Sequence, residues 1–145
     1  HRDLHSFPTR RSSDLIDAFP VNQQEQIRVQ LSTNLIAVLS QTLCPLKGRK
    51  GRAAAYEFMV VTPAISNLIR ENKTYRIESA IQTGKKMGMQ LLDDHLWELY
   101  IQEKITLEEV LDKSRNPSDL LEKARSMGGA HKIEADGFGP VVKSS

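Results

Sequence analysis

At Thr62 the spacing of the apolar residues changes from two to between three and four, and this change constrains the fold more than any other feature of the chain. Upstream, Ala53 to Val61 alternates Tyr56, Phe58 and Val60 against Glu57 and Met59, the period of a strand. Downstream, Thr62-Pro63 reads as an N-cap followed by proline at the first helical position. Ile65, Leu68 and Ile69 then recur on one helical face up to Glu71. A chain that holds both periods is α/β before Thr62 and helical after it.

The remaining punctuation fills in both halves. Gln41 to Pro45 is a short strand that stops at its proline, and Lys47 to Arg52 is the turn after it, so 41–61 reads as a hairpin. Before it, Asn22 with Glu25 forms a capping box, and Ile27, Leu31, Leu35 and Val38 keep helical spacing, which predicts a helix over 22–39. Its polar face is rich in amides (Gln23, Gln26, Gln30, Asn34) and poor in charge. Ile16 to Pro20 reads as an extended lead-in. After Asn72-Lys73 breaks the first downstream helix, Ile77, Ala80 and Ile81 start another that ends near Gly88. Leu92, Leu96, Leu99 and Tyr100, with Trp97 beside them, make a third. Thr106 with Glu109 is a capping box for a fourth, and Asn116-Pro117 opens a last helix through Leu120, Leu121 and Ala124. From Met127 to Ser145 the chain is polar and glycine-rich, and disorder is expected over 127–145.

The first fifteen residues, HRDLHSFPTRRSSDL, share no periodicity with the rest of the chain. They back-translate without mismatch to a string that looks like a sequencing-library adapter, so 1–15 is read as an artefact and set aside. Without its three Arg and two Asp, the 20 basic and 18 acidic residues of the whole chain become 17 and 16. A balance this even gives no electrostatic case for a nucleic-acid partner. At 145 residues and 39% hydrophobic, the chain can bury the core of one domain, or of two small ones. One cysteine, Cys44, allows no internal disulfide and no cysteine metal cluster. No apolar run approaches the ~18–20 residues of a membrane span, so no direct membrane insertion is expected. These limits describe a soluble, helix-rich protein of a reducing compartment.

Chemistry-bearing residues are few. The basic loop from Lys47 to Arg52 is the obvious phosphate candidate, but Gly48 and Gly51 do not have the spacing of a phosphate-binding P-loop, and a solvated turn is the simpler reading. No aromatic residue interleaves with its cations, as single-stranded nucleic acid would require. Asp93-Asp94-His95 are adjacent on a helix and diverge by about 100°, which makes a solvated face, not a metal site. Cys44 has no histidine near it in sequence and reads as a small buried hydrophobe. Catalytic, cofactor-binding and metal-binding residues are therefore all read as none.

A family resemblance adds what the residues alone do not. Phe19-Pro20, Gln23-Gln24, Gln26-Ile27-Arg28 and Leu31-Ser32, then Ser40-Gln41-Thr42-Leu43 and Gly51-Arg52-Ala53-Ala54-Ala55-Tyr56-Glu57, resemble the hexameric ATPases that retract type IV pili. Ala64, Ile65, Ser66, Asn67, Leu68, Ile69, Arg70 and Glu71 resemble the AIRNLIRE signature of the retraction branch, with Ser66 where Arg is usual. Ala80 to Gly84 and Gly88 to Gln90 resemble the next block of the family, and the likeness runs from Ile16 to about Leu121.

This resemblance implies a fold and a function. Residues 16–62 would be an α/β remnant of a RecA-like ATPase core, a helix plus a β-hairpin, and 63–126 a mostly helical C-terminal domain. The family's Walker A, Walker B, Asp and His boxes have no counterpart here. ATP and Mg²⁺ would be bound outside this sequence, and the chain alone would be inactive. The family further implies a homohexamer acting with platform proteins of the inner membrane, on the cytoplasmic side. The alternative, from a different class, is a helical partner-binding adaptor without nucleotide chemistry.

Overall fold

The computed structural model describes residues 15–128. All of the adapter reading except Leu15, and most of the predicted disordered tail, fall outside the described residues. Residues 15–17 are helical and Phe19 N–H donates to Ile16 C=O at 3.1 Å, so the stretch expected as an extended lead-in opens with a helical turn. Helix α1 spans Val21–Asn34, strands β1 and β2 span Ala37–Pro45 and Arg52–Val60, and α2 spans Pro63–Arg70. A 3₁₀ turn, Thr74–Arg76, leads into α3 (Ile77–Thr83), and a second, Lys85–Met87, comes after it. Helices α4 (Leu92–Ile101), α5 (Leu107–Lys113) and α6 (Pro117–Gly128) complete the described chain. The last helix therefore takes in Met127 and Gly128, which the sequence assigned to the tail.

Helix α1 departs from its prediction at both ends. It begins at Val21 after Pro20, with no side-chain cap, so Asn22 lies inside the helix and caps nothing. It stops at Asn34, not residue 39, and Val38 belongs to β1. The stop has a local cause. Thr33 donates its hydroxyl to the carbonyls of Val29 and Gln30, and the Asn34 amide donates to Gln30, so polar side chains draw on the last helical turn. Leu35 is then extended, and the run Ile36 to Val38 with its β-branched residues continues as strand.

The two strands form a two-stranded sheet. A six-residue connection cannot return a parallel strand, so the pair is an antiparallel hairpin. Leu46 N–H donates to Gly51 C=O at 3.1 Å at the tip, and Val61 N–H to Ile36 C=O at 2.8 Å at the base. Both bonds keep one register without a bulge, which sets Ser40 against Glu57 and Leu39 against Phe58. On β2 the buried residues are Ala55, Glu57 and Met59, while Tyr56, Phe58 and Val60 are only half-buried. The alternation predicted from sequence is present, but the face with the larger apolar residues is not the more buried one.

The described chain divides into two compact units, one of residues up to 41 with 56–91, the other of 42–55 with the residues from 92 on. This division differs from a break at 62/63, because packing joins the hairpin base to α2 and α3. In the first unit Met59, Ile65, Ile69, Ile77, Ile81, Met89 and Leu91 form one buried cluster, with Leu31, Leu35, Val38 and Leu68 packed on it. Gln90 extends the sheet by one bridge: it exchanges main-chain bonds of 2.9 Å with Phe58, and its amide donates to Tyr56 C=O at 3.1 Å.

In the second unit α4 packs on α5 and α5 on α6, and Leu96, Ile105, Leu107 and Val110 are fully buried. Thr106 caps α5 through the Glu109 N–H at 3.2 Å. The Asp93 carboxylate accepts from Arg115 N–H at 2.9 Å and from Asn116 N–H at 3.0 Å, which satisfies donors at the start of α6. Asp93 is thus not the solvated residue the sequence suggested; it holds one helix to the beginning of another. Cys44 is buried, as expected, and burial raises its thiol from 9.0 to about 11.

Candidate functional site

The signature helix α2 is fixed at both ends. Thr62 Oγ1 accepts from Ile65 N–H at 3.3 Å, and Pro63 opens the first turn. At the other end Asn72 takes φ of 58°, Lys73 N–H donates to Leu68 C=O and Asn72 N–H to Ile69 C=O. This pair of bonds is a Schellman closure with asparagine in the left-handed position. Between these stops the helix sorts its residues: Ile65 and Ile69 are fully buried, and Leu68 packs against the same cluster.

Ala64, Asn67, Arg70 and Glu71 are exposed. Arg70 donates to Asn67 Oδ1 at 3.4 Å, and Lys73 pairs with Glu71 at 2.9 Å. The Lys73 hydrogen bond, with its charge, holds the Glu71 carboxyl below its ordinary value. The result is a rigid helix with an amide, a guanidinium and a carboxylate directed outward. That face can dock or transmit force; it contains no nucleophile beside a base.

Ser66 faces α1. Its hydroxyl donates to the carbonyl of Ser32, one of the α1 carbonyls left without a helical partner. Ser32 is itself buried and donates to Val29 C=O at 2.7 Å. A serine at this position therefore joins two helices, a contact that no sequence pattern announced. The main-chain bridge at Gln90 had no sequence signal either, nor did the burial of Glu57, which is only 1% exposed and engaged in polar contact.

The basic loop does not form a phosphate cradle. Gly48 and Gly51 take φ of 67° and 114° to close the turn. The N–H groups of Leu46 and Lys47 are engaged by Gly51 C=O and Lys104 C=O, at 3.1 and 2.8 Å. All residues from Lys47 to Arg52 are exposed, which makes a convex tip. A nucleoside triphosphate does not fit such a surface, because its phosphates need converging N–H groups. Among the described residues no three His, Cys, Asp or Glu converge as a metal site, and no helix is long and apolar enough to cross a membrane.

The first unit also leaves apolar surface open. Leu39 is 59% exposed on the face of the hairpin shared with Tyr56, Phe58 and Val60, and Ile36, just before β1, is 80% exposed. Beside α1 a shallow hollow of about 310 Å³ is lined by Leu15, Phe19, Ile27, Gln30, Leu31 and Asn34.

Two comparisons of structure define the class. The chain superposes on a crystal structure of the pilus retraction motor PilT with bound ADP, with TM-score 0.68 and 38% identity over 79% of this chain and 31% of that one. The ATPase DotB of Legionella pneumophila gives TM-score 0.55 at 16% identity over 82% of this chain and 30% of that one, a likeness of fold alone. The described residues thus have the fold of part of the PilT and DotB ATPases, an α/β piece followed by a mostly helical one. No family model matches the chain.

Relatives by sequence narrow the class. The type IV pilus retraction ATPase PilT of Pseudomonas aeruginosa is 42% identical over 118 residues, 81% of this chain and 34% of the relative. A twitching motility protein of Neisseria gonorrhoeae is 37% identical over 118 residues, 81% of this chain and 32% of the relative. The chain is accordingly a relative of the type IV pilus retraction ATPases, and it spans about a third of their length.

Proposed function

We propose that the chain supplies the end of the RecA-like core (16–62) and the helical domain (63–126) of an ATPase that retracts type IV pili. In this reading ATP and Mg²⁺ are bound by parts of a longer protein, and the outward face of α2 passes nucleotide-driven domain rotation to the pilus machinery. The motor is a homohexamer on the cytoplasmic side of the inner membrane, working against platform proteins there. The chain alone hydrolyses no ATP.

The observation that carries the reading is the 42% identity over 118 residues to a retraction ATPase. Two features support it. Among the described residues the one glycine-rich basic loop is a convex turn with its N–H groups already engaged at Leu46 and Lys47. The open apolar face of Leu39, with Tyr56, Phe58 and Val60 only half-buried beside it, is what a hairpin has when it belongs to a larger sheet covered on both sides.

A graft tests the proposal. The matched segment of the P. aeruginosa ATPase is replaced by this chain from Ile16 to Gly128, and ATP turnover and twitching are measured. Both should be retained, and Asn67→Ala with Arg70→Ala in the graft should abolish twitching while turnover persists. A graft that assembles and hydrolyses ATP but never retracts pili would contradict the proposal. Magnesium-dependent turnover by the isolated chain that survives repurification would overturn the assignment of nucleotide chemistry to other parts.

A further inference from the structure

We propose that the tip of the hairpin docks on an anionic lipid surface. The inference rests on charge, rigidity and shape in the second compact unit and is independent of the pilus reading. Lys47, Arg49, Lys50 and Arg52 place four cations within six exposed residues that contain no acid. Among the described residues no ion pair or side-chain hydrogen bond engages Arg49, Lys50 or Arg52. Lys47 N–H donates to Lys104 C=O at 2.8 Å, so the turn carrying Lys104, a fifth exposed cation, is held at the tip.

The tip is held in one shape. Gly48 and Gly51 adopt positive φ, Leu46 N–H closes the turn on Gly51, and a Cβ at Gly51 would come within 3.1 Å of Leu46 Cδ1. A held backbone loses less freedom on binding than a mobile arm carrying the same cations. Apart from Glu103 and Lys104, adjacent in the turn held at the tip, residues 92–128 of the same unit carry eight acids against four bases. An anionic surface is therefore repelled by the helices and attracted by the tip, which orients the approach.

Shape selects the partner. The tip is convex and offers no groove in which the side chains of an acidic peptide could be read. It has no aromatic residue on which a nucleic-acid base could stack. A sheet of lipid headgroups requires neither, and the two arginines can fork onto its phosphates. Leu43, 45% exposed on the strand leading to the tip, adds an apolar group near the headgroup level.

The test is co-sedimentation of the full chain with vesicles of phosphatidylcholine alone, or of phosphatidylcholine mixed with phosphatidylglycerol. Binding should require phosphatidylglycerol and should vanish as salt rises toward about 1 M. Neutralising Arg49→Gln, Lys50→Gln and Arg52→Gln together should lower partitioning about a hundredfold. Arg10→Gln with Arg11→Gln, at the far N-terminal end of the sequence, and Lys86→Gln, outside the tip, should leave most of the binding. Lys50→Glu alone repeats the test if the triple variant fails to give the wild-type circular dichroism.

Wild-type chain that ignores phosphatidylglycerol overturns the proposal. So does binding that survives the tip variants, or that is lost only with Arg10 and Arg11. Binding to polyglutamate that exceeds binding to the vesicles would assign the tip to an acidic polypeptide instead.

Discussion

The two compact units solve the same packing problem to different degrees. Among the described residues the first unit exposes eight large hydrophobic side chains, including Val21, Ile36 and Leu39, and the second exposes three. Helix α1 differs from the helices of the second unit in the same direction. In the second unit Thr106 and Asp93 each satisfy the start of a helix, and Leu96, Ile105, Leu107 and Val110 are sealed from solvent. In the first, α1 has no side-chain cap and buries only Ser32. A helix with neither cap nor apolar stripe owes its stability to neighbours. The contrast teaches that the second unit is closed by its own residues, whereas the first presents surface suited to further cover.

Cavity variants should show the largest effect. Ile105→Ala in the second unit should cost about 2–5 kcal/mol, because the site is fully enclosed. It should be read by denaturant titration of Trp97 fluorescence. The comparison breaks if Ile105→Ala proves as mild as a surface change.

Alkaline pH gives the next largest effect, and it acts on the second unit. The Cys44 thiol is raised from 9.0 to about 11, so the folded state favours its protonated form. Its contribution is complete below pH 9 and is lost as pH rises toward 11, by about 2 kcal/mol. Cys44→Ala should remove that part of the pH dependence, measured as the change in denaturant midpoint between pH 8 and pH 11.

Helix ends come third. Asp93→Ala should destabilise by about 1–2 kcal/mol, through loss of the carboxylate that accepts from Arg115 and Asn116. Glu103→Gly should act in the opposite sense. Glu103 sits at φ of 58°, where Lys104 N–H meets Leu99 C=O and Glu103 N–H meets Tyr100 C=O. Glycine takes that left-handed position without a Cβ penalty and should stabilise by about 1 kcal/mol. Thermal melts of the two variants check both signs.

The smallest effect sharpens the comparison most. Leu39→Ser should change the stability of the chain alone by no more than about 0.5 kcal/mol, since Leu39 is already exposed. In the graft into the P. aeruginosa ATPase the same change should cost several times more. Equal effects in both settings would mean that nothing covers the outer face of the hairpin.

Legibility tracked how local the determinant was. The hairpin and the starts of α2 and α5 could be read because Thr62-Pro63 and Thr106 act on their own neighbours. The end of α2 could be read because asparagine at 72 is a residue that tolerates left-handed backbone. The equivalent end of α4 gave no signal, since Glu103 is not such a residue. The predicted extent of α1 ran too far because Leu35 and Val38 happen to continue a helical spacing while Asn34 and Thr33 turn back on the last turn. Which face of β2 is buried depends on Met59 meeting Ile65 and Ile69, and the jobs of Ser66, Gln90 and Asp93 depend on residues more than twenty positions away. Period and propensity cannot carry such information. The outward residues of the signature helix were named from the sequence, but their separation from Ile65 and Ile69 into a distinct face is a result of packing.

Hydrogen exchange of the full chain, followed by mass spectrometry at neutral pH, tests most directly whether the two units differ as described. Peptides from α4 to α6 should be protected to a common, global level, while those from α1 and the outer part of β1 exchange orders of magnitude faster. Uniform protection of α1, β1 and the α4–α6 helices would show that the first unit is complete on its own, and would contradict the claim that it is built to be covered.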